Sequence, residues 1–317
     1  MSRLARRVAL AVGLLLAVSA LTFGAMNVLG DPLFNILGPA AEDTTPAGIA
    51  RIEAAREEYH LDDPLPLRYV RWLADFAAGD MGVQFSSDGQ PPVSDLVAER
   101  LPRTAMLLVL AQLIATVVSI PWALLAAPRI DSWFDRLSTV STFLVVALPN
   151  FALGVILKYV FAIRLGWFPQ TYVAGDPPLA QLHQLLLPAL TIALPAAAVY
   201  QRLLRDDLVS TLQEEYILMA RSKGLARRSI LFRHALRPSL FSFVTVFGLT
   251  TGALIGGSLV VENIFRVPGL GSAVVDAVVR EDFPVVLAIV MVVAVVFVAV
   301  NFVVDAVYAV IDPRVRR

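Results

Sequence analysis

The sequence predicts an all-α, polytopic membrane protein with six transmembrane helices and both termini in the cytoplasm. Three observations carry that reading. Hydrophobic residues make up 57% of the 317 positions and charged residues 16%, whereas soluble domains run at about 45–50% and about 25%. Six separate runs approach or exceed the roughly 20 apolar residues a helix needs to cross about 30 Å of hydrocarbon. Lysine and arginine are also unevenly divided between the segments that join those runs, and that asymmetry orients a membrane chain. The mean hydropathy of +0.72 agrees. Cysteine is absent, which removes disulfides, thiolate metal sites and cysteine nucleophiles from consideration.

The first run, residues 8–29, carries no charge. Arg3, Arg6 and Arg7 precede it as they would a signal peptide, but its 22 residues exceed the roughly 7–15 of a signal-peptide core. It is therefore read as an uncleaved span. Residues 49–59 then read as a short charged helix. Residues 68–78 place Tyr69, Val70, Trp72, Leu73 and Phe76 among charges, which suits a helix on the membrane interface and equally one packed on its own extracellular lid. Glycine, proline and serine between 79 and 92 mark turns. The remaining spans are residues 104–127, 137–163 with Pro149, Asn150 and Lys158, 184–201 with Pro188 and Pro195, 240–261, and 285–304.

Six spans put both termini on one side. With residues 128–136 and 202–239, that side holds 16 Lys and Arg; the other, residues 30–103, 164–183 and 262–284, is longer and holds 9. The side richer in positive charge faces the cytoplasm. Residues 1–100 thus form a first span with a long extracytoplasmic loop. Residues 101–317 form a five-helix core with a cytoplasmic loop at 202–239.

Enzymatic sites fail early. Lys158 follows Leu157 and Lys223 follows Ser222, so neither lysine completes a phosphate-binding Gly-Lys-Ser/Thr loop. His60, His183 and His234 fall in three separate segments, with no His-Glu-x-x-His helix and no Gly-x-Ser-x-Gly elbow. The acid pairs Asp62–Asp63, Asp206–Asp207, Glu214–Glu215 and Glu281–Asp282 all fall in predicted loops, where they are expected to be solvated. No catalytic residue, metal ligand or cofactor is expected on this chain. A formal net charge of +0 also speaks against nucleic acid, whose phosphates demand a basic surface.

Within the spans, Lys158 lies near enough to an outer end to snorkel to the interface, and the mid-span carboxylates of an ion pump are missing. Asn150, Thr250, Thr251 and Asn301 add polarity without charge, fitting an uncharged path or hydrogen bonds between helices. In the fifth span Gly248, Gly252 and Gly256 recur every four residues, with Thr251, Ala253 and Gly257 beside them. Such a smooth stripe serves close helix packing or the lining of a path.

Residues 202–239 read as a chain of short helices. Glu214 and Glu215 suit a helix start, Arg221 and Lys223 its last turn, and Gly224 its C-terminal cap. Tyr216, Met219, Ala220 and Lys223 recur at three- and four-residue spacing. About two turns of helix do not stand alone, so this face docks a cytoplasmic partner or packs on the protein's own membrane helices.

At this point the sequence resembles a known family. The run Glu215-Tyr216-Ile217-Leu218-Met219-Ala220-Arg221-Ser222-Lys223-Gly224-Leu225, followed by Arg233-His234-Ala235-Leu236-Arg237, is similar to the coupling loop of binding-protein-dependent ABC importer permeases. The dipeptide/oligopeptide/nickel branch is the nearest. Gly30-Asp31-Pro32, Leu61-Asp62-Asp63-Pro64-Leu65-Pro66, Gly79-Asp80-Met81-Gly82, Glu262-Asn263-Ile264-Phe265-Arg266-Val267-Pro268-Gly269-Leu270-Gly271, Asp305-Ala306-Val307-Tyr308 and Asp312-Pro313-Arg314 match the same branch. The general family pattern ends its loop in Ile-x-Leu-Pro, where this chain has His234-Ala235-Leu236-Arg237, a form common in the peptide branch. Met219 and Ser222 stand where Thr and Ala are more usual. The long loop after the first span resembles the first, or B-type, of two permease subunits.

The resemblance implies a type I ABC importer permease fold in the cell (inner) membrane. It implies three kinds of partner besides the lipid bilayer: a second permease, two cytoplasmic ATPase subunits and an extracytoplasmic substrate-binding protein. ATP and Mg would sit on the partner subunits and none on this chain. Glu215, Tyr216, Met219, Ala220, Lys223 and Gly224 would couple to an ATPase, and Gly248, Thr251, Gly252 and Gly256 would pack helices or line the pore. Short peptides are the expected cargo. Nickel, metal chelates or other small solutes are alternatives within the family, and an ABC exporter subunit, a stand-alone transporter or a membrane enzyme are alternatives outside it.

Overall fold

The chain is described from a computed structural model covering residues 3–29, 32–87 and 89–311. Gly30-Asp31 and Asp312-Pro313-Arg314, quoted for the resemblance, lie outside the described residues. The helices run α1 (Arg3–Leu29), α2 (Pro32–Leu37), α3 (Pro46–Glu58), α4 (Leu65–Ala78), α5 (Val93–Ala126), α6 (Trp133–Ala147), α7 (Asn150–Leu157), α8 (Pro178–Thr211), α9 (Glu215–Ser222), α10 (Arg227–Ser229), α11 (Leu236–Phe265), α12 (Leu270–Val279) and α13 (Phe283–Ile311). Among the described residues the only strand-like feature is an isolated antiparallel bridge, Val83 to Pro92.

Among the described residues five runs are long and apolar enough to cross a membrane: Ala5–Asn27, Val93–Arg129, Pro178–Thr211, Arg227–Phe265 and Phe283–Val304. The sixth is not the continuous helix expected over residues 137–163. It is two arms, Trp133–Ala147 and Asn150–Arg164, meeting at 104°. Pro149 has no N–H to donate, and its ring disfavours helical backbone at the residue before it. Leu148 accordingly takes φ −83° and ψ 128°.

The two prolines of α8 do the opposite. Pro188 and Pro195 sit inside one unbroken helix, the first buried and the second half-buried, because packed neighbours shelter the carbonyls that proline leaves without donors. The helix also outruns its predicted end at residue 201. Residues 202–211, read as loop because of their charges, are its last turns, and residues 236–239 are the first turn of α11. A helix leaving hydrocarbon can continue into water, so charge marks the membrane boundary rather than the helix end.

The chain folds as two compact units, Met1–Pro102 with Gly269–Val298, and Arg103–Pro268 with Ala299–Arg317. In the first, Val93 and Val97 of α5 meet Leu270, Ala273 and Ala277 of α12 and Val285 and Ile289 of α13. α4 packs on α1. The Tyr69 and Trp72 rings lie 5.6 and 5.8 Å from the Phe23 ring, and the Tyr69 hydroxyl shares a 2.8 Å hydrogen bond with Ser19 Oγ. The acid pair Glu281–Asp282 departs from the solvated expectation, because Asp282 is fully buried. Its Oδ2 accepts from the Ser86 amide at 2.9 Å and the Ser86 hydroxyl at 2.7 Å, tying the turn after α4 to the start of α13.

In the second unit α8 is central and packs most extensively on α11, then on α6. Alanine recurs through this core: Ala111, Ala115 and Ala123 of α5 and Ala189, Ala193, Ala196 and Ala197 of α8 are all buried. Small side chains let backbones approach closely, which is how helices associate when lipid supplies no hydrophobic drive.

Candidate functional site

α9 stands on an apolar foot. Ile217 is fully buried and Ala220 nearly so, and they cluster with Ile230, against which Leu212 packs. The helix starts on Glu214, whose carbonyl accepts from the Ile217 and Leu218 amides at 3.0 and 3.2 Å, and Glu215 puts negative charge in its first turn. It ends as the Lys223 amide donates to Met219 O at 3.1 Å and the Leu225 amide to Ala220 O at 3.3 Å. Gly224 takes φ +76°, with nothing within 4 Å of where a Cβ would sit. Glycine is therefore needed there for its backbone and not for space.

Of the residues singled out on this helix, Tyr216, Met219 and Lys223 are exposed together with Glu215 and Gly224, and Met219 is 61% open. Ala220 departs from the expected shared face and turns inward under the helix. Two residues the periodicity missed matter as much: Ile217 anchors the helix, and Leu218 joins the exposed apolar edge. Ile217 and Ala220 do follow a helical spacing, but sequence cannot tell which apolar stripe of a short helix faces in. Around α9, the Arg227 guanidinium donates to Pro128 O at 2.8 Å and the Tyr216 hydroxyl to His234 O at 3.4 Å. Burial first, then the charge of Glu214, pushes the Tyr216 phenol above its ordinary pKa, so it stays a neutral donor.

The glycine stripe of α11 divides. A Cβ on Gly248 would run into Val304 of α13, whereas one on Gly256 would meet nothing within 4 Å. The close approach at that level belongs to Gly257, whose Cβ position lies 3.2 Å from Asn150 Nδ2. Thr251 is tied into a polar network: Gln112 Nε2 donates to its Oγ1 at 2.5 Å, and Gln112 Oε1 accepts from the Tyr200 hydroxyl at 2.8 Å. Tyr200, fully buried, also bonds Thr250. The network links α5, α8 and α11.

Lys158 does more than snorkel. Its Nζ donates to Ile264 O at 2.5 Å and lies 5.6 Å from the Phe265 ring centre, fixing the second arm of the bent pair to the end of α11. Buried acids lie where the sequence suggested none. Glu262 accepts from Thr104 Oγ1 at 2.8 Å. Asp135 takes a bidentate pair from Arg205, Nε to Oδ1 at 2.7 Å and a terminal nitrogen to Oδ2 at 2.6 Å. Asp206 and Asp207 belong to α8 and not to a loop, and Asp206 pairs with Arg205 at 2.8 Å.

Membrane-length apolar helices, alanine-lined packing and a short surface helix seated on an apolar foot define a multi-pass membrane component with a built protrusion. Residues 119–317 match the family of binding-protein-dependent transport system inner membrane components, and the chain belongs to that family. Over 316 residues it is 36% identical to the oligopeptide transport system permease protein AppB of Bacillus subtilis, covering 98% of each chain. A putative peptide transport system permease protein of Brucella abortus is 40% identical over 314 residues, again 98% of each. The glutathione transport system permease protein GsiC of Escherichia coli is 35% identical over 303 residues, 95% of this chain and 94% of that one.

Proposed function

We propose that the chain is one transmembrane subunit of an ATP-driven importer for short peptides delivered by an extracytoplasmic binding protein. The observation that carries the cargo is near-full-length similarity to permeases described as oligopeptide, peptide and glutathione transporters. In this reading both termini and α9 are cytoplasmic. A second permease completes the path, and two ATPase subunits hold ATP and Mg. The exposed edge of Tyr216, Leu218, Met219 and Lys223 seats in an ATPase, and Ile217 and Ala220 pass its movement to Ile230 and Leu212 beneath. Gly224 turns the chain out of the helix. Because ATP and the loaded binding protein prefer different states of the permease, each shifts the population toward its own.

The test is a gentle-detergent pull-down of the tagged chain from native membranes, with ATPase and uptake assays on the reconstituted eluate. The expected result is co-purified ATPase, second permease and binding protein, with hydrolysis stimulated by short peptides. Stimulation by nickel or a metal chelate alone would replace the peptide assignment. Recovery of the chain alone and inactive would remove the ATPase-coupling role of α9.

A further inference from the structure

One cavity has no part in that mechanism. It lies within the first compact unit and encloses about 420 Å³. Part of its wall comes from the ends of two apolar spans: Phe23 and Met26 late in α1, and Leu287 in the first turns of α13. Such helix ends mark the level where hydrocarbon gives way to head groups, and aromatic side chains gather there. Trp72 of α4 lines the cavity, and α4 leaves Leu67 and Val70 exposed, as a helix lying against lipid does.

The charges in the wall are unevenly matched. Arg71 is already paired with Asp63. Arg68 also lines the cavity; it feels the longer-range attraction of Asp63, but its guanidinium makes no hydrogen bond or ion pair within 4 Å among the described residues. Burial holds its pKa below the usual arginine value. A partly desolvated arginine among aromatic and aliphatic walls calls for an anion that carries an apolar body. At the ends of membrane spans, phospholipid supplies both. Asn27, Tyr59 and His60 also line the cavity, and the carboxylates of Asp75 and Asp80 in the same wall favour a head group ending in an ammonium.

We propose that this cavity seats a glycerophospholipid of the phosphatidylethanolamine type, its phosphate on Arg68 and an acyl chain along Phe23, Met26 and Leu287. The proposal holds whatever the cargo of the transporter.

The test uses the intact complex, solubilised from native membranes and delipidated in steps while native mass spectrometry counts the phospholipids retained. Wild type keeps one phosphatidylethanolamine. Arg68→Gln releases it at about tenfold lower detergent, the loss of one charge-assisted hydrogen bond, and Arg68→Lys falls between. Equal retention in wild type and Arg68→Gln overturns the proposal. A second arm offers radiolabelled inorganic phosphate to the delipidated complex. Phosphate binding that needs Arg68, without any retained lipid, makes this a free-anion site and also overturns it. Should Arg68→Gln fold poorly, wild type in vesicles of brominated phosphatidylethanolamine reports independently. The fluorescence lost in Trp72→Phe is the component that bromine quenches, and its absence from the quenched signal overturns the assignment.

Discussion

At Gly248 the fold has no room for a methyl group, while at Gly256, two turns along the same helix, it has ample room. Gly248→Ala should therefore cost about 1–3 kcal/mol of overpacking, and Gly256→Ala should stay within about 0.5 kcal/mol. Thermal unfolding of the detergent-solubilised chain measures both, and equal midpoints would mean that α11 does not pack on Val304. The Asp135–Arg205 pair makes the complementary case. Arg205→Ala strands a carboxylate that is nearly out of water, at a cost of about 3 kcal/mol. Replacing both partners, as Asp135→Leu with Arg205→Met, should recover most of that loss. A double-mutant cycle without positive coupling would show the pair to be incidental.

At the scale of the element, α9 separates foot from edge. Ile217→Asp puts a charge where the helix is fully buried and should unseat it. Met219→Asp alters an exposed position and should leave the helix in place. The chain has no cysteine, so a single cysteine at Ala220 reports directly: protected from maleimide in the parent and in Met219→Asp, labelled in Ile217→Asp. On the importer reading both variants lose peptide uptake. Gly224→Asp tests the same element from its end. A side chain at φ +76° carries roughly 1–3 kcal/mol of backbone strain in an exposed turn, so the complex should assemble and hydrolyse ATP while uptake fails. Normal uptake in that variant would sink the coupling role.

For the whole molecule, orientation is the first thing to measure. Single cysteines at His60 and Ser222 should label with an impermeant maleimide from opposite sides, the first in intact cells and the second only in inside-out vesicles. The reverse pattern would invert the topology. Most of the span architecture was legible in the sequence, because an apolar run of sufficient length has few other uses. What stayed illegible turns on neighbours distant in sequence. Proline breaks the helix at 149 but not at 188 or 195, and packing around α8 decides which. Asp282 looks solvated until Ser86, 196 residues earlier, supplies two donors. The protruding helix was visible from its charges and its glycine, but Ile217 and Ala220 turned inward on Ile230 and Leu212, which local periodicity could not show.

The bend between α6 and α7 has a consequence for the order in which the protein is made. Each arm is about 22 Å long at 1.5 Å per residue, short of the roughly 30 Å core. Three close contacts of the second arm are made to residues later in the chain. A Cβ on Gly154 would lie 3.1 Å from Thr191 and 3.3 Å from Ile264, Lys158 bonds the Ile264 carbonyl, and Asn150 fills the space beside Gly257. During synthesis residues 133–164 reach the bilayer before any of these partners exists, and an exposed break in the backbone is not tolerated in lipid. The side chains that steady the corner therefore become available only once α8 and α11 have both been made.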